Sequence, residues 1–205
     1  MSSKILVDEI APKTSGGVIT AGAMASPGGI IEVLTGVCDG RSQTVQSGTY
    51  TFPDVTAIQN LTTTFADVTG SAISYTPPTG TKRVRYDLEM KVKATGYSGI
   101  SHYKFFIDSV EVTSARTTRA FSYSSSNQGC MVQLFSWIID CDASSASAAD
   151  GAFTSWTTAK ALKWQAREYD SSYQMALHMN NWWDGGTATG SDAIDPPFLT
   201  ITAYG

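Results

Sequence analysis

The sequence predicts an all-β fold, an antiparallel β-sandwich or jelly roll carried on an extended N-terminal arm, and three observations lead there. The first is strict alternation over residues 83–93, where Val84, Tyr86, Leu88, Met90 and Val92 interleave with Arg83, Arg85, Asp87, Glu89, Lys91 and Lys93. Period-two alternation sends one set of side chains to a core face and the other to solvent, whereas a helix would scatter both around its circumference. The second is repetition of that pattern in shorter runs: Tyr103, Phe105 and Ile107; Leu162, Trp164 and Ala166; Tyr173, Met175, Leu177 and Met179; Leu199, Ile201 and Ala203. The third is the punctuation between runs, with turn residues at Pro77-Pro78-Thr79-Gly80, Asp108-Ser109, Ser124–Gly129, Asp170-Ser171-Ser172 and Gly185–Pro197. Roughly seven to nine strands at this spacing, with no helical period beyond a turn expected near Ser144–Asp150, favour a sandwich over a barrel.

Residues 1–28 are read as the arm. They are rich in Gly, Ala, Ser and Pro and carry one apolar patch, Ile5, Leu6, Val7 and Ile10, which is too small to bury itself and must dock elsewhere. Breakers at Pro27 and Gly28-Gly29 end it. Residues 29–59 are read as a strand-containing connecting segment, because Ile30–Cys38 is strand-like and Asp39-Gly40 is a turn signal. The sandwich domain is expected over 60–205.

Composition narrows the function. Charged residues make up 16% of the chain, below the roughly 25% of an average soluble domain, so the surface relies on neutral polar groups. Lys plus Arg total 14 against 18 Asp plus Glu, a net charge of −4, leaving no cation excess for a nucleic-acid backbone. No apolar run approaches the roughly 20 residues of a membrane-spanning helix. Met1–Ala11 lacks the pattern of a secretory signal, so the chain is expected to be made and kept in a cytoplasm before it reaches its destination. Cys38, Cys130 and Cys141 cannot all pair within one chain and form no zinc pattern, so free thiols are expected.

Catalytic chemistry finds little support. The two histidines, His102 and His178, both fall in predicted strands, and His178 lies off the apolar set of its run and is expected to face outward. Asp140, Asp142, Glu168, Asp170 and Asp184 sit near strand ends, where charges discourage unwanted sheet pairing. No cofactor fingerprint or calcium loop is present. One cluster stands out, Asn180-Asn181-Trp182-Trp183-Asp184 ahead of a Gly-rich loop. Indole faces stack on sugar rings and Asn or Asp side chains bind hydroxyls, so Asn181, Trp182, Trp183 and Asp184 form a candidate glycan contact; the alternative is that the tryptophans plug the sandwich end or meet a neighbouring subunit.

Several motifs in order carry a family resemblance over most of the chain. These are Ser3–Ile10 with Ser15-Gly16, Tyr75–Lys82, Phe106–Val112, Trp156–Lys160, Ala166–Tyr169 and Pro197–Gly205. The chain resembles small virion structural proteins of tailed phages, particularly marine ones, of the tail-fibre or appendage type. A glycine is usual where Ser109 stands, which would leave that hairpin looser than in its relatives. The resemblance implies a jelly-roll-like domain similar in outline to the trimeric tumour-necrosis-factor and complement C1q heads. With the missing catalytic and cofactor motifs, it leads to the expectation of a non-enzymatic virion role without cofactors. With the sparse charge, the many aromatics and an arm that cannot bury its own apolar groups, it leads to a homotrimer whose arm binds other tail or capsid proteins, and the Asn181–Asp184 cluster adds host-surface glycan as a further expected partner. Capsid decoration or a head fibre is the alternative placement, and a polysaccharide-binding or polysaccharide-cleaving protein ranks below both.

Overall fold

The computed structural model describes residues 28–95, 98–122, 130–180 and 193–205. Its regular structure is strand throughout. In chain order these are β1 (Ile30–Val37), β2 (Ser42–Val45), β3 (Gly48–Thr51), β4 (Gln59–Asn60), β5 (Ala66–Asp67), β6 (Ile73–Tyr75), β7 (Arg83–Ala94) and β8 (Ser98–Ile107). They continue with β9 (Val110–Ser122), β10 (Cys130–Asp140), β11 (Lys160–Glu168), β12 (Met175–Leu177), β13 (Met179–Asn180), β14 (Ala193–Ile194) and β15 (Phe198–Tyr204). The helical turn expected near 144–150 is only a hydrogen-bonded turn, with Asp150 N–H donating to the Ser147 carbonyl at 3.3 Å.

Pairing defines the topology. β10 lies along one edge of β7 from Arg83 to Lys93, so β15 (opposite 83–89) and β12 (opposite 92–94) share the other edge end to end. β1 then flanks β15. In the second sheet β11 lies between β8 and the interrupted strand β5 and β6, while β9 flanks β8. With β5 and β6 counted as one position, the long strands β1, β5/β6, β7, β8, β9, β10, β11 and β15 take positions 1 to 8. The two sheets then run 1-8-3-6 and 2-7-4-5, all antiparallel, which is a jelly roll.

The alternation read from sequence sets which face is buried. Val84, Tyr86, Leu88, Met90 and Val92 of β7 are buried, as are Tyr103, Phe105 and Ile107 of β8, Leu162, Trp164 and Ala166 of β11, and Leu199, Ile201 and Ala203 of β15. Aromatic rings join the sheets: Tyr86 meets Phe105 at 5.3 Å between centroids, Phe105 meets Trp164 at 5.1 Å, Trp164 meets Phe135 at 5.3 Å, and Phe135 meets Tyr103 at 4.3 Å. The β8–β9 hairpin closes tightly despite Ser109. Asp108 takes the left-handed conformation at φ 55° and is tied to β11, accepting from the Ala161 N–H at 2.9 Å. Asp is one of the few side chains that tolerate this conformation.

Two expectations change. Residues 29–59, read as a connecting segment, are built into the sandwich: β1 pairs with β15 over Ile30–Val37, and Leu34, Cys38, Phe52 and Val55 are core residues. The β2–β3 hairpin carries Phe52 across β1 so closely that a Cβ on Gly36 would lie 2.6 Å from the Phe52 ring. Glu32 of β1, 6% exposed, takes hydrogen bonds from the Ser47 N–H, the Ser47 hydroxyl and the Tyr75 hydroxyl, each at 2.7 Å. The short apolar alternation of β1 looked like a separate piece because the charge that locks it in place is buried rather than exposed.

His178, expected to face outward, is 0% exposed. The strand run breaks at this residue, which has φ 62°, so β13 leaves the line of β12 and the simple alternation 173–179 fails. Ala176 and His178 are buried along with Met175, Leu177 and Met179. Neither imidazole nitrogen completes a hydrogen bond of good geometry among the described residues. Burial pushes the His178 pKa down to about 4, against weaker opposing pulls from the Thr69 backbone and Asp195.

Two outcomes follow from these buried groups. Glu32→Ala should strip partners from Ser47 and Tyr75 and lower the midpoint of a single urea transition by the equivalent of about 2–4 kcal/mol; unchanged stability would mean that 29–59 is a separable linker. For His178, the unfolded side chain takes up a proton near pH 6.5 while the folded one resists until about 4. Its contribution is therefore whole above the unfolded pKa and is lost as pH falls through this window, by about 3 kcal/mol. Asn accepts the left-handed backbone, so His178→Asn should fold and show a shallower loss of stability between pH 7 and 4.5; identical slopes for the two proteins would contradict the assignment.

Candidate assembly surface

The anchoring residues Ile5, Leu6, Val7 and Ile10 and the glycan candidates Asn181, Trp182, Trp183 and Asp184 lie outside the described residues. At the base of the latter segment β13 pairs with β14, and Lys91 of β7 holds Asp195 at 2.8 Å. The remaining acids do not converge. Asp140 pairs opposite Arg83 at one end of the sandwich, whereas Glu168 pairs opposite Ser101 toward the other. Asp142 is ion-paired with Lys82, and Asp170 accepts from the Ser172 N–H at 2.9 Å. Glu168 is buried, and that burial raises its pKa, with Asp170 adding to the effect.

No disulfide joins the three cysteines. Cys38 and Cys141 are buried, and desolvation pushes each thiol up to about 12, with Asp39 and Asp140 adding to it. Thiolate is the reactive form, so these two behave as packed core groups. Among the described residues no three His, Cys, Asp or Glu side chains are placed to hold a metal ion.

Strand β10 is the feature that the sequence reading passed over. From Cys130 to Ile139 it has no charged residue, and its register with β7 runs through eleven residue pairs without a bulge. It closes one side of its sheet, and its inward residues Phe135 and Ile139 are core. Its outward residues are mostly apolar as well: Val132 is 57% exposed, Leu134 46% and Ile138 55%, with Ser136 the polar member of the row. Apolar residues on both faces ordinarily mark a strand buried on both sides, and here one of those faces lies open among the described residues. The rest of the outer face is mixed. Along β7 the charges Arg85, Asp87, Glu89 and Lys91 stand in line, with Arg85 and Asp87 ion-paired at 2.9 Å, and beyond them Phe198, in register with Glu89 and Leu134, is also exposed.

Among the described residues the free edge of β10 is covered at its far end, where the Trp137 indole N–H donates to the Asp150 carbonyl at 3.2 Å and the Phe153 N–H to the Asp140 carbonyl at 2.8 Å, and no strand pairs with that edge over Met131–Ser136. Edge strands in stable monomers are commonly shortened, bulged or charged, and β10 has none of these devices. Exposed apolar edges in general are where a further strand can add.

The ends of the fold are distinct. Gly28 donates to the Gly205 carbonyl at 2.5 Å and Gly205 to the Gly29 carbonyl at 2.9 Å, beside the start of β7 and the end of β10. Ala94, Ser98 and Cys130, at strand ends, lie at the opposite end.

No protein-family model matches the chain, and no curated protein matches it in sequence. Among solved structures it is similar to a chain of the infectious bursal disease virus Gx strain at 10% identity and TM-score 0.34, over 98% of this chain and 45% of that one. A chain of the Gt strain of that virus is 13% identical with TM-score 0.24, over 78% of this chain and 40% of that one. A chain of the virus's VP2 subviral particle is 13% identical with TM-score 0.22, over 80% and 43%. The chain thus spans less than half the length of each, and its fold rests on its own strand order.

Proposed function

We propose that this protein is a non-enzymatic structural subunit of a tailed-phage particle, a homotrimeric tail-fibre or appendage protein assembled in the host cytoplasm. The observation that supports the reading is the β10 edge, which no strand among the described residues covers over Met131–Ser136 and which has no charge before Asp140, with Val132, Leu134 and Ile138 in solvent. Covering the exposed half of three such side chains is worth about 1 kcal/mol each, and pairing the free edge adds backbone hydrogen bonds. Threefold closure comes from the family resemblance, since three sandwiches can pack around one apolar seam.

In this arrangement residues 1–28 anchor the subunit on other virion proteins. Gly28 leaves the sandwich beside the C-terminus, so an arm attached there holds one end and turns the opposite end outward. Capsid decoration would use the same fold and surfaces, and copy number separates the two placements. Quantitative mass spectrometry of purified virions should give on the order of ten copies per particle for an appendage and hundreds for an icosahedral decoration. Absence from washed particles would refute both.

Light scattering on the full-length protein should give about three times the 21.9 kDa chain mass. Leu134→Glu and Ile138→Glu, each at a solvent-facing position, should release monomers while leaving the thermal transition of the domain nearly in place. A wild-type monomer at micromolar concentration, or variants as trimeric as wild type, would contradict assembly through β10.

A further inference from the structure

The sheet on the other side of the sandwich carries a cleft of about 350 Å³, lined by Phe65, His102, Lys104, Arg116, Thr118 and Arg167 among others. The register explains how cations gather there in an acidic chain. On β8, His102 stands opposite Thr118 of β9 and Arg167 of β11. Between Tyr103 and Phe105 the β8–β9 register slips, so that Thr117 pairs opposite Tyr103 while Val112 pairs opposite Phe105, and residues 113–116 bulge outward. Bulges of this kind re-aim side chains. Here Arg116 and Lys104 meet on a single carboxylate, Glu111, at 2.5 and 3.2 Å.

Arg167 donates only to backbone carbonyls, those of Glu168 at 3.3 Å and Tyr169 at 3.4 Å, and no carboxylate among the described residues pairs with it. Lys104 and Arg167 both lie over the Phe65 ring, 4.5 and 5.4 Å from its centroid. Of the three cations in the cleft, Lys104 and Arg116 thus share the Glu111 carboxylate and Arg167 has none among the described residues. The positive field reaches His102, whose pKa is lowered first by burial and then by Arg167. Its Nδ1 is 2.8 Å from the Thr118 hydroxyl, and its Nε2 has no partner.

We propose that this cleft binds an acidic saccharide. The carboxylate of a uronate-type residue would sit between Arg116 and Arg167, and a ring hydroxyl would reach the hydroxyl of Thr118. Guanidinium groups suit a planar carboxylate because two N–H donors can face two oxygens. The neutral Thr118 hydroxyl and the small volume of this open cleft fit one or two sugar units. A nucleic-acid strand would instead need a track of cations along its backbone, and Asp67, bound to Lys163 at 2.8 Å, interrupts any such track on this face. The inference is independent of how the subunit assembles, because the cleft and β10 belong to different sheets.

Calorimetric titration of the full-length protein at low salt tests it, with a galacturonate tetramer as probe and maltotetraose, inorganic phosphate and a short single-stranded DNA as comparators. The galacturonate tetramer should bind and maltotetraose should not. Arg167→Gln should weaken binding at least tenfold, Arg116→Gln should do the same from an exposed position that folding does not need, and Lys163→Gln outside the cleft should leave it unchanged. No binding of the tetramer, equal binding of phosphate alone, tighter binding of DNA, or full affinity in Arg116→Gln would each overturn the proposal.

Discussion

The fold depends on one continuous line of aromatic contact across the sandwich. Tyr86 and Phe135 come from one sheet and Phe105, Trp164 and Tyr103 from the other, with successive ring centroids 4.3 to 5.3 Å apart. Each such pair is worth about 0.5–1.5 kcal/mol beyond the area it buries. Because the rings come from β7, β8, β10 and β11, they fix how the sheets face each other, and outward residues are set by default. The line also fixes β10: Phe135 must point inward, so Leu134 and Ser136 on either side must point out.

That constraint separates the two surfaces of functional interest. A jelly roll has open edges, and β10, at one of them, presents an apolar row with no charge to deter pairing. On the opposite sheet, β9 flanks β8 and carries the irregularity, a bulge of several residues that brings Arg116 back beside Lys104. Regular pairing leaves β10 straight and suited to meeting another chain. Broken pairing on β9 makes the other face concave and charged. Both consequences come from where the ladder runs true and where it slips.

Much of the fold was legible in the sequence because half-buried strands write their burial as alternation. β7, β8, β11 and β15 were all visible in this way, and their inward residues form the core. Elements that break the alternation were not legible. β1 hides its role because Glu32 points into the protein among Ser47, Tyr50 and Tyr75, so a charge that reads as solvent-facing is internal. His178 escaped because a left-handed residue resets the facing of the chain beyond it. β10 escaped for the opposite reason: apolar residues on both faces leave no period to see. The cleft could not be read at all, since it unites β8, β9 and β11 with Phe65 through a register slip that no local pattern announces.

Hydrogen exchange at β10 tests the central claim, that its free edge is an assembly surface, most directly. Alternate backbone N–H groups of Met131–Ser136 turn away from β7 and have no strand partner among the described residues. Measured by NMR on the full-length protein at assembling concentration, these amides should be protected to a degree comparable with those bonded to β7, and should lose protection on dilution or in Leu134→Glu. Exchange of these edge amides at solvent rates at every concentration, beside protected neighbours, would contradict the account.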